Sequence, residues 1–247
     1  MQKSFDLATT ANRYFERYSE VLQRIEHAAN AVQRTPNTIA LLAVSKTKPA
    51  EAIAALYAAG QRDFGENYVQ EGIDKIHELE ELTDITWHFV GALQSNKSKD
   101  VAAHFDWVHS IDRGKIVNRL NEQRPKHLPP LQCLVQVNID YEPTKAGVQL
   151  NELGKIAEQI DKASHLTLRG IMAIPNPDAT EQEKHNSFQQ LENVMQELKA
   201  KYPSVDTLSL GMSNDLEAAI AHGSTMVRIG TALFGKREIG KREIRKR

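Results

Sequence analysis

The spacing of hydrophobic and polar positions changes near residue 35 of this chain. Before it, apolar residues recur at helical spacing over residues 5–34, which predicts a leading amphipathic helix; they are Phe15, Tyr18, Val21, Leu22, Ile25, Ala28, Ala29 and Val32. After it, short β-branched runs alternate with helical stretches. The first run, TIALLAVSK (38–46), precedes a helix that Pro49 opens and Gly60 ends. The pattern therefore predicts an α/β protein with one extra helix in front.

Eight apolar runs follow one another along the rest of the chain, and a helical stretch follows each of the first seven. The runs are TIALLAVSK, RDFGEN, ITWHFVG, DWVHSID, LQCLVQVNI, LTLRGIMAIP, TLSLGMS and TMVRIGTALFG. Strands that alternate with helices pair in parallel through right-handed crossovers. We therefore predict a single (β/α)8 TIM-type barrel with an extra N-terminal helix. An open doubly wound sheet is the alternative, but no G-x-G-x-x-G follows the first run.

No linker rich in Pro, Gly or Ser divides the chain, so the prediction is one barrel with two appendages. Residues 1–34 form a helix packed on the barrel, residues 35–235 form the barrel itself, and residues 236–247 form a basic tail. The tail, KREIGKREIRKR, is interpreted as a solvated, partly helical segment. A contact with phosphate or nucleic acid is the alternative interpretation of its charge.

Composition limits the possible partners and compartments. The formal net charge of −1 leaves no global basic field that would attract nucleic acid or a membrane surface. No apolar run approaches the ~20 residues that span a bilayer, and the first 20 residues do not resemble a secretory signal. The single cysteine, Cys133, excludes an internal disulfide and favours a cytoplasmic location. Because Cys133 lies within LQCLVQVNI, we expect a buried strand residue.

Lys46 is the most informative residue for chemistry. In a parallel barrel the active site lies at the carboxyl ends of the strands, and Lys46 ends the buried run LLAVSK. Burial at the barrel mouth favours the neutral amine, which is the nucleophile in Schiff-base chemistry. The alternative is a lysine that extends to solvent or pairs with an acid such as Glu66.

Small and hydroxyl residues at the ends of the seventh and eighth strands indicate a phosphate site. The segment SLGMSNDLEAAI places Gly211 and Ser213 ahead of a helix, with Ser213 or Asn214 as its expected N-cap, and VRIGTALFG supplies Gly230 and Thr231. Arg228 lies within an apolar strand, where it needs an acidic or acceptor partner. A lysine, a phosphate cup and an arginine suit pyridoxal 5'-phosphate (PLP), and they also suit a Schiff-base aldolase acting on a sugar phosphate.

The histidines add no predicted chemistry to these residues. The nine histidines show no metal-ligand spacing, so we expect no metal site. His88 either lines the pocket or is a core residue with satisfied hydrogen bonds.

Several of these strings closely resemble one family. LLAVSKTKP, RDFGENYVQE, WHFVGALQSNK, GIMAIP, TLSLGMSNDLEAAI and STMVRIGTALFG are similar to the YggS-type pyridoxal phosphate homeostasis proteins, from about residue 35 to residue 235. The resemblance implies the barrel of the alanine racemase N-terminal domain. It also implies that PLP is bound covalently to Lys46 as a Schiff base. The other implied cofactor contacts are Asn67, His88, Met212, Ser213, Arg228, Gly230 and Thr231.

The resemblance also implies what the protein does. Arg228 would face the pyridine nitrogen and keep it unprotonated, which weakens the electron sink of the cofactor. The β-domain that gives racemases their second catalytic residue would be absent, so no catalytic residue and no robust turnover are expected. The implied function is a monomeric PLP carrier that supplies or buffers the cofactor for PLP-dependent apoenzymes and indirectly affects amino-acid and keto-acid metabolism. A PLP-dependent racemase or decarboxylase is the alternative.

Overall fold

Eight parallel strands form a closed barrel in which strand order follows chain order. The computed structural model describes residues 2–142 and 145–235. The strands are β1 (Ala40–Val44), β2 (Asp63–Glu66), β3 (Thr86–Phe89), β4 (Trp107–Ile111), β5 (Leu131–Val137), β6 (Leu166–Ala173), β7 (Thr207–Ser209) and β8 (Met226–Ile229). Strand β1 pairs with both β2 and β8, which closes the barrel. The predicted (β/α)8 fold is confirmed.

A helix follows every strand, and one helix precedes the barrel. The helices are α1 (Gln2–Ala31), α2 (Ala50–Ala58), α3 (Val69–Glu78), α4 (Ser98–His104), α5 (Gly114–Gln123), α6 (Leu150–Asp161), α7 (Glu181–Lys201), α8 (Leu216–Ala221) and α9 (Thr231–Phe234). The sequence pattern did not predict α9, a single turn after β8. The expected N-cap of α8 was also wrong, because Asp215 occupies the cap position and Ser213 and Asn214 lie in the preceding turn.

Helix α1 covers one side of the barrel next to its last two helices. It packs against α8, α9 and α2 through a face that includes Val21, Ile25 and Ala29, all of which are buried. Burial of a large aliphatic side chain contributes about 1.5–3 kcal/mol, so this face holds the helix on the barrel. The predicted leading amphipathic helix is confirmed, and its position brings polar residues of α1 to the carboxyl ends of β7 and β8.

The strands are buried on both faces, as expected for a sheet enclosed by helices. Cys133 on β5 is completely buried, and this burial raises the pKa of its thiol. It is therefore a core residue, as expected. Within the described part of the chain, no helix has the length and apolarity that crossing a membrane requires. The basic tail, residues 236–247, lies outside the described residues.

Candidate functional site

A cavity of about 1080 Å³ opens at the carboxyl ends of the strands. Its walls come from the ends of β1, β2, β3, β6, β7 and β8, together with residues of α1 and α7. The charged side chains that line it are Arg24, Lys46, Lys48, Lys184, Arg228 and Asp215. Five basic groups against one acidic group favour an anionic ligand.

Lys46 lies at the mouth of the barrel, two residues beyond the last residue of β1. It is half-buried and lines the cavity. Among the described residues, none forms a hydrogen bond or an ion pair with its Nζ. Glu66, the acid considered as its partner, binds Lys75 instead. The amine of Lys46 is therefore directed at the cavity without a protein partner there.

A buried charged network holds the backbone on both sides of Lys46. Lys75 Nζ donates to the carbonyl of Ser45 at 2.8 Å, to Glu66 Oε1 at 2.7 Å and to Glu71 Oε1 at 2.6 Å. Glu71 Oε1 also accepts from the backbone N–H of Thr47 at 2.5 Å. Thr47 has a φ of 62°, a left-handed conformation that costs energy in a β-branched residue. The network therefore fixes the turn that presents Lys46.

Glu66 is the most deeply buried member of that network. Its side chain is fully buried, and Oε1 accepts from Lys75 and from the Ser45 hydroxyl, whereas Oε2 has no partner among the described residues. Burial raises the pKa of this carboxyl, and Lys75 only partly opposes the shift. The carboxylate consequently depends on Lys75 to remain charged in the interior.

Arg228, on β8, is buried and lines the cavity. Its guanidinium donates to the carbonyl and the hydroxyl of Ser209 at 2.7 and 2.8 Å, and to the carbonyl of Ala173 at 2.9 Å. The expectation that Arg228 meets acceptor groups is therefore correct. Burial lowers its pKa to about 10, and Asp215 opposes the shift, so the guanidinium stays charged at neutral pH.

Two turns that line the same cavity as Lys46, after β7 and β8, present unused backbone donors. Within the described chain, no hydrogen bond uses the N–H of Ser213, Asn214, Gly230 or Thr231. The first turn is shaped by Gly211, whose φ of 99° suits glycine, and an added Cβ there would lie 2.6 Å from Ala219 Cβ. Such clustered donors bind phosphate groups.

Side chains outside the two turns fix the first of them. Asp215 Oδ1 accepts from the N–H of Met212 at 2.5 Å, and Arg24 of α1 donates to the carbonyl of Ser213 at 3.0 Å while pairing with Glu217. Sequence patterns alone do not predict these roles of Arg24 and Asp215, or the pair of Lys75 and Glu71. Only the position of Arg24 on the buried side of a predicted helix hinted at its role.

The structure brings seven of the eight predicted contacts together and separates one. The residues that line the cavity are Lys46, Asn67, Met212, Ser213, Arg228, Gly230 and Thr231. Asn67 Oδ1 is buried without a partner in the described chain, which leaves an acceptor for a ligand. His88 does not line the cavity: it is completely buried and contacts His109 and Asp63 at 2.9 and 3.0 Å. Its position favours the core interpretation.

Comparison with known proteins identifies the family. The family model described as the alanine racemase N-terminal domain matches residues 21–238. The chain belongs to this family. Two curated relatives named pyridoxal phosphate homeostasis protein are 55% identical in Escherichia coli and 51% identical in Pseudomonas aeruginosa. Each alignment covers 91% of this chain, with 97% and 96% of the respective relative. The resemblance to the pyridoxal phosphate homeostasis proteins is confirmed.

Solved structures give the same family relationship. PipY of Synechococcus elongatus, 39% identical, covers 85% of this chain and 99% of its own, with TM-scores of 0.76 without PLP and 0.74 with PLP bound. An alanine racemase of Clostridium difficile, 16% identical, has a TM-score of 0.65 and covers 88% of this chain but 57% of its own. The likeness to the racemase shows the shared fold alone.

Proposed function

We propose that this protein binds PLP covalently through Lys46 and supplies or buffers the cofactor for PLP-dependent enzymes. The observation on which this proposal mainly rests is the cavity that the unpartnered Lys46 amine shares with two turns whose backbone N–H groups are unused. The PLP-bound structure of PipY and the names of the curated relatives support it. The barrel, residues 35–235, would supply every proposed PLP contact, and Arg24 of α1 would line the same cavity.

The residues at the cavity fit the chemical groups of PLP. When bound, PLP supplies an aldehyde that bonds to an amine and an aromatic ring that withdraws electrons. The N–H groups of Ser213, Asn214, Gly230 and Thr231 would hold the phosphate, and the side chain of Met212 would line the wall beside them. Asn67 offers its unpartnered Oδ1 to a donor of the ligand. His88 is not included in this site, because other protein groups use both ring nitrogens.

Arg228 supports a carrier rather than an enzyme. A guanidinium only donates hydrogen bonds, so Arg228 against the ring nitrogen would leave that nitrogen unprotonated and a weaker electron sink. No tyrosine is among the cavity residues in the described chain, so no candidate for a second acid–base group of that type faces Lys46. We therefore propose no robust turnover. A cytoplasmic monomer that transfers PLP transiently to apoenzymes fits the single, buried cysteine and the family resemblance.

The covalent link is tested with Lys46→Ala. Purified protein incubated with PLP should show the visible absorption band of lysine-bound PLP, and borohydride should fix the cofactor on the peptide that contains Lys46. The Lys46→Ala variant should lose the band and the modified peptide. Lys155→Ala, which removes an exposed lysine of α6, should keep both. Covalent PLP at this cavity in Lys46→Ala would refute the assignment.

The carrier role is tested by transfer and by turnover. Loaded protein mixed with a PLP-dependent apoenzyme should restore that enzyme's activity, whereas protein whose PLP has been fixed by borohydride should not. The same loaded protein should not racemise or decarboxylate amino acids. Because working enzymes commonly turn over at ~1–10³ per second, a rate in that range would establish the enzyme alternative instead.

A further inference from the structure

A line of polar side chains crosses the interior of the barrel from the cavity to the opposite end. It runs through neighbouring and facing strands, with four contacts: Arg228 Nη1 to Ser209 Oγ at 2.8 Å, Ser209 Oγ to His109 Nδ1 at 3.1 Å, His109 Nε2 to His88 Nδ1 at 2.9 Å, and His88 Nε2 to Asp63 Oδ1 at 3.0 Å. Ser209, His109 and His88 are fully buried, whereas the Asp63 side chain is 36% exposed at the start of β2.

The two ends of the line determine the direction of every hydrogen bond in it. Arg228 can only donate, so the Ser209 oxygen accepts from it. Among the described residues, His109 Nδ1 is the only acceptor within reach of the Ser209 hydroxyl hydrogen. His109 then carries its proton on Nε2 and donates to His88. His88 in turn carries its proton on Nε2 and donates to the Asp63 carboxylate, which only accepts.

The reverse arrangement leaves one hydrogen of the line without an acceptor. A doubly protonated His88 would donate to His109, which would then donate from Nδ1 to Ser209. The Ser209 hydroxyl would receive two hydrogen bonds and have no acceptor for its own hydrogen within the described chain. Burial lowers the pKa of His109 well below its usual value, so this ring is neutral in either arrangement, and the two arrangements differ in the hydrogen that Ser209 and His88 carry.

We infer that Asp63, His88, His109 and Ser209 form a one-directional hydrogen-bond chain that positions the Arg228 guanidinium from the far end of the barrel. The stacked Trp107 ring, 5.2 Å from His88 and inclined by 17°, fixes the plane of that imidazole. Aligned hydrogen bonds polarise one another, so the chain also strengthens the bond that Ser209 accepts from Arg228. The consequence for the cofactor rests on the proposed function, in which Arg228 faces the PLP ring nitrogen.

The tautomers are measured without any cofactor. Two-bond ¹H–¹⁵N correlation spectra of apoprotein with ¹⁵N-labelled histidine rings distinguish Nε2–H, Nδ1–H and charged imidazoles at neutral pH. His88→Gln and His109→Gln identify the two signals. Both rings should be Nε2–H tautomers. A His109 ring protonated on Nδ1, or a charged His88, would refute the inferred direction of the hydrogen-bond chain.

Two serine variants test the link to Arg228. Ser209→Ala should shift the His109 Nδ1 resonance, because that nitrogen loses its donor. Ser110→Ala is the matched control. Ser110, on β4, is buried like Ser209, but its hydroxyl has no partner among the described residues. The control should leave the His88 and His109 signals in the same tautomers. An unchanged Nδ1 resonance in Ser209→Ala would contradict the link.

Titration with PLP then tests positioning. Ser209→Ala should raise the dissociation constant of PLP by about fivefold and shift its visible band, because one charge-assisted hydrogen bond to Arg228 is lost, whereas Ser110→Ala should do neither. If Ser209→Ala binds PLP as wild type does, the positioning role is wrong. If wild-type protein binds no PLP, the proposed function is wrong. The tautomer spectra would still show whether the hydrogen-bond chain has the inferred direction.

Discussion

Two of the basic side chains that line the cavity, Lys46 and Arg228, are supported in opposite ways. Lys46 is held through its backbone neighbours, and the support is charged: Lys75 binds Glu66 and Glu71 and the Ser45 carbonyl. Arg228 is held by its own guanidinium, and its direct support is neutral, namely two carbonyls and the Ser209 hydroxyl.

The difference agrees with the roles proposed for the two side chains. An amine that is to form a covalent bond needs an unoccupied nitrogen, and here the backbone is fixed on either side of Lys46 while Nζ has no partner in the described chain. A guanidinium that only donates can use some of its hydrogens for protein acceptors and others for the ligand. Charged support is also more sensitive to loss of a partner, since an uncompensated buried charge costs more than an unsatisfied carbonyl.

The largest expected effect comes from removing the buried cation under Lys46. Lys75→Met leaves the Glu66 carboxylate buried without its partner, so the free energy of unfolding should fall by about 3–5 kcal/mol at neutral pH. Urea unfolding measures this change. Lys162→Met removes a lysine from an exposed ion pair with Glu158 and should leave the unfolding midpoint almost unchanged.

The same variant has a pH dependence with a definite sign. Burial raises the folded-state pKa of Glu66, and loss of Lys75 removes the group that opposes this shift. A raised carboxyl pKa gives a stability contribution that is present below the unfolded pKa and is lost as pH rises through the folded pKa. The deficit of Lys75→Met should therefore shrink on acidification from about pH 7 to about pH 5. A deficit that grows on acidification would contradict the burial of an ionised Glu66.

A smaller loss of stability is expected when Arg228 is removed from its neutral acceptors. Arg228→Met leaves the Ser209 and Ala173 acceptors unsatisfied but no charge unpaired, so the free energy of unfolding should fall by about 1–3 kcal/mol. Its deficit should be smaller than that of Lys75→Met in the same urea experiment. A loss equal to that of Lys75→Met would show that the two supports do not differ as the structure indicates.

The smallest effect on stability should come from Glu71, which is only partly buried. Glu71→Ala removes the acceptor of the Thr47 N–H, so the free energy of unfolding should fall by about 1 kcal/mol. Because the turn at Lys46 loosens, borohydride-fixable PLP should also accumulate more slowly than in the wild type. Glu51→Ala, in the first turn of α2, is the matched control for the loss of an acidic residue near a helix start. Equal rates of PLP accumulation in the two variants would show that Glu71 does not position Lys46.

Much of the candidate site could be predicted because it follows strand ends. Lys46, Gly230 and Thr231 come directly after buried runs, and a closed parallel barrel brings the carboxyl ends of all its strands to one face. His88 shows the limit of that logic. It lies within WHF, a run that is buried on both sides, so alternation does not tell which neighbours its ring nitrogens meet.

The sequence by itself determined the barrel and the identity of the lysine and turns at its mouth, because hydrophobic period and motif order are local properties. Only the tertiary structure decided that Glu66 pairs with Lys75 and not with Lys46, and that Arg24 binds the carbonyl of Ser213. It also decided that Arg228 ends a chain beginning at Asp63. These contacts join residues far apart in the sequence, and buried hydrogen bonds depend on distances of a few tenths of an ångström that only closure of the barrel sets.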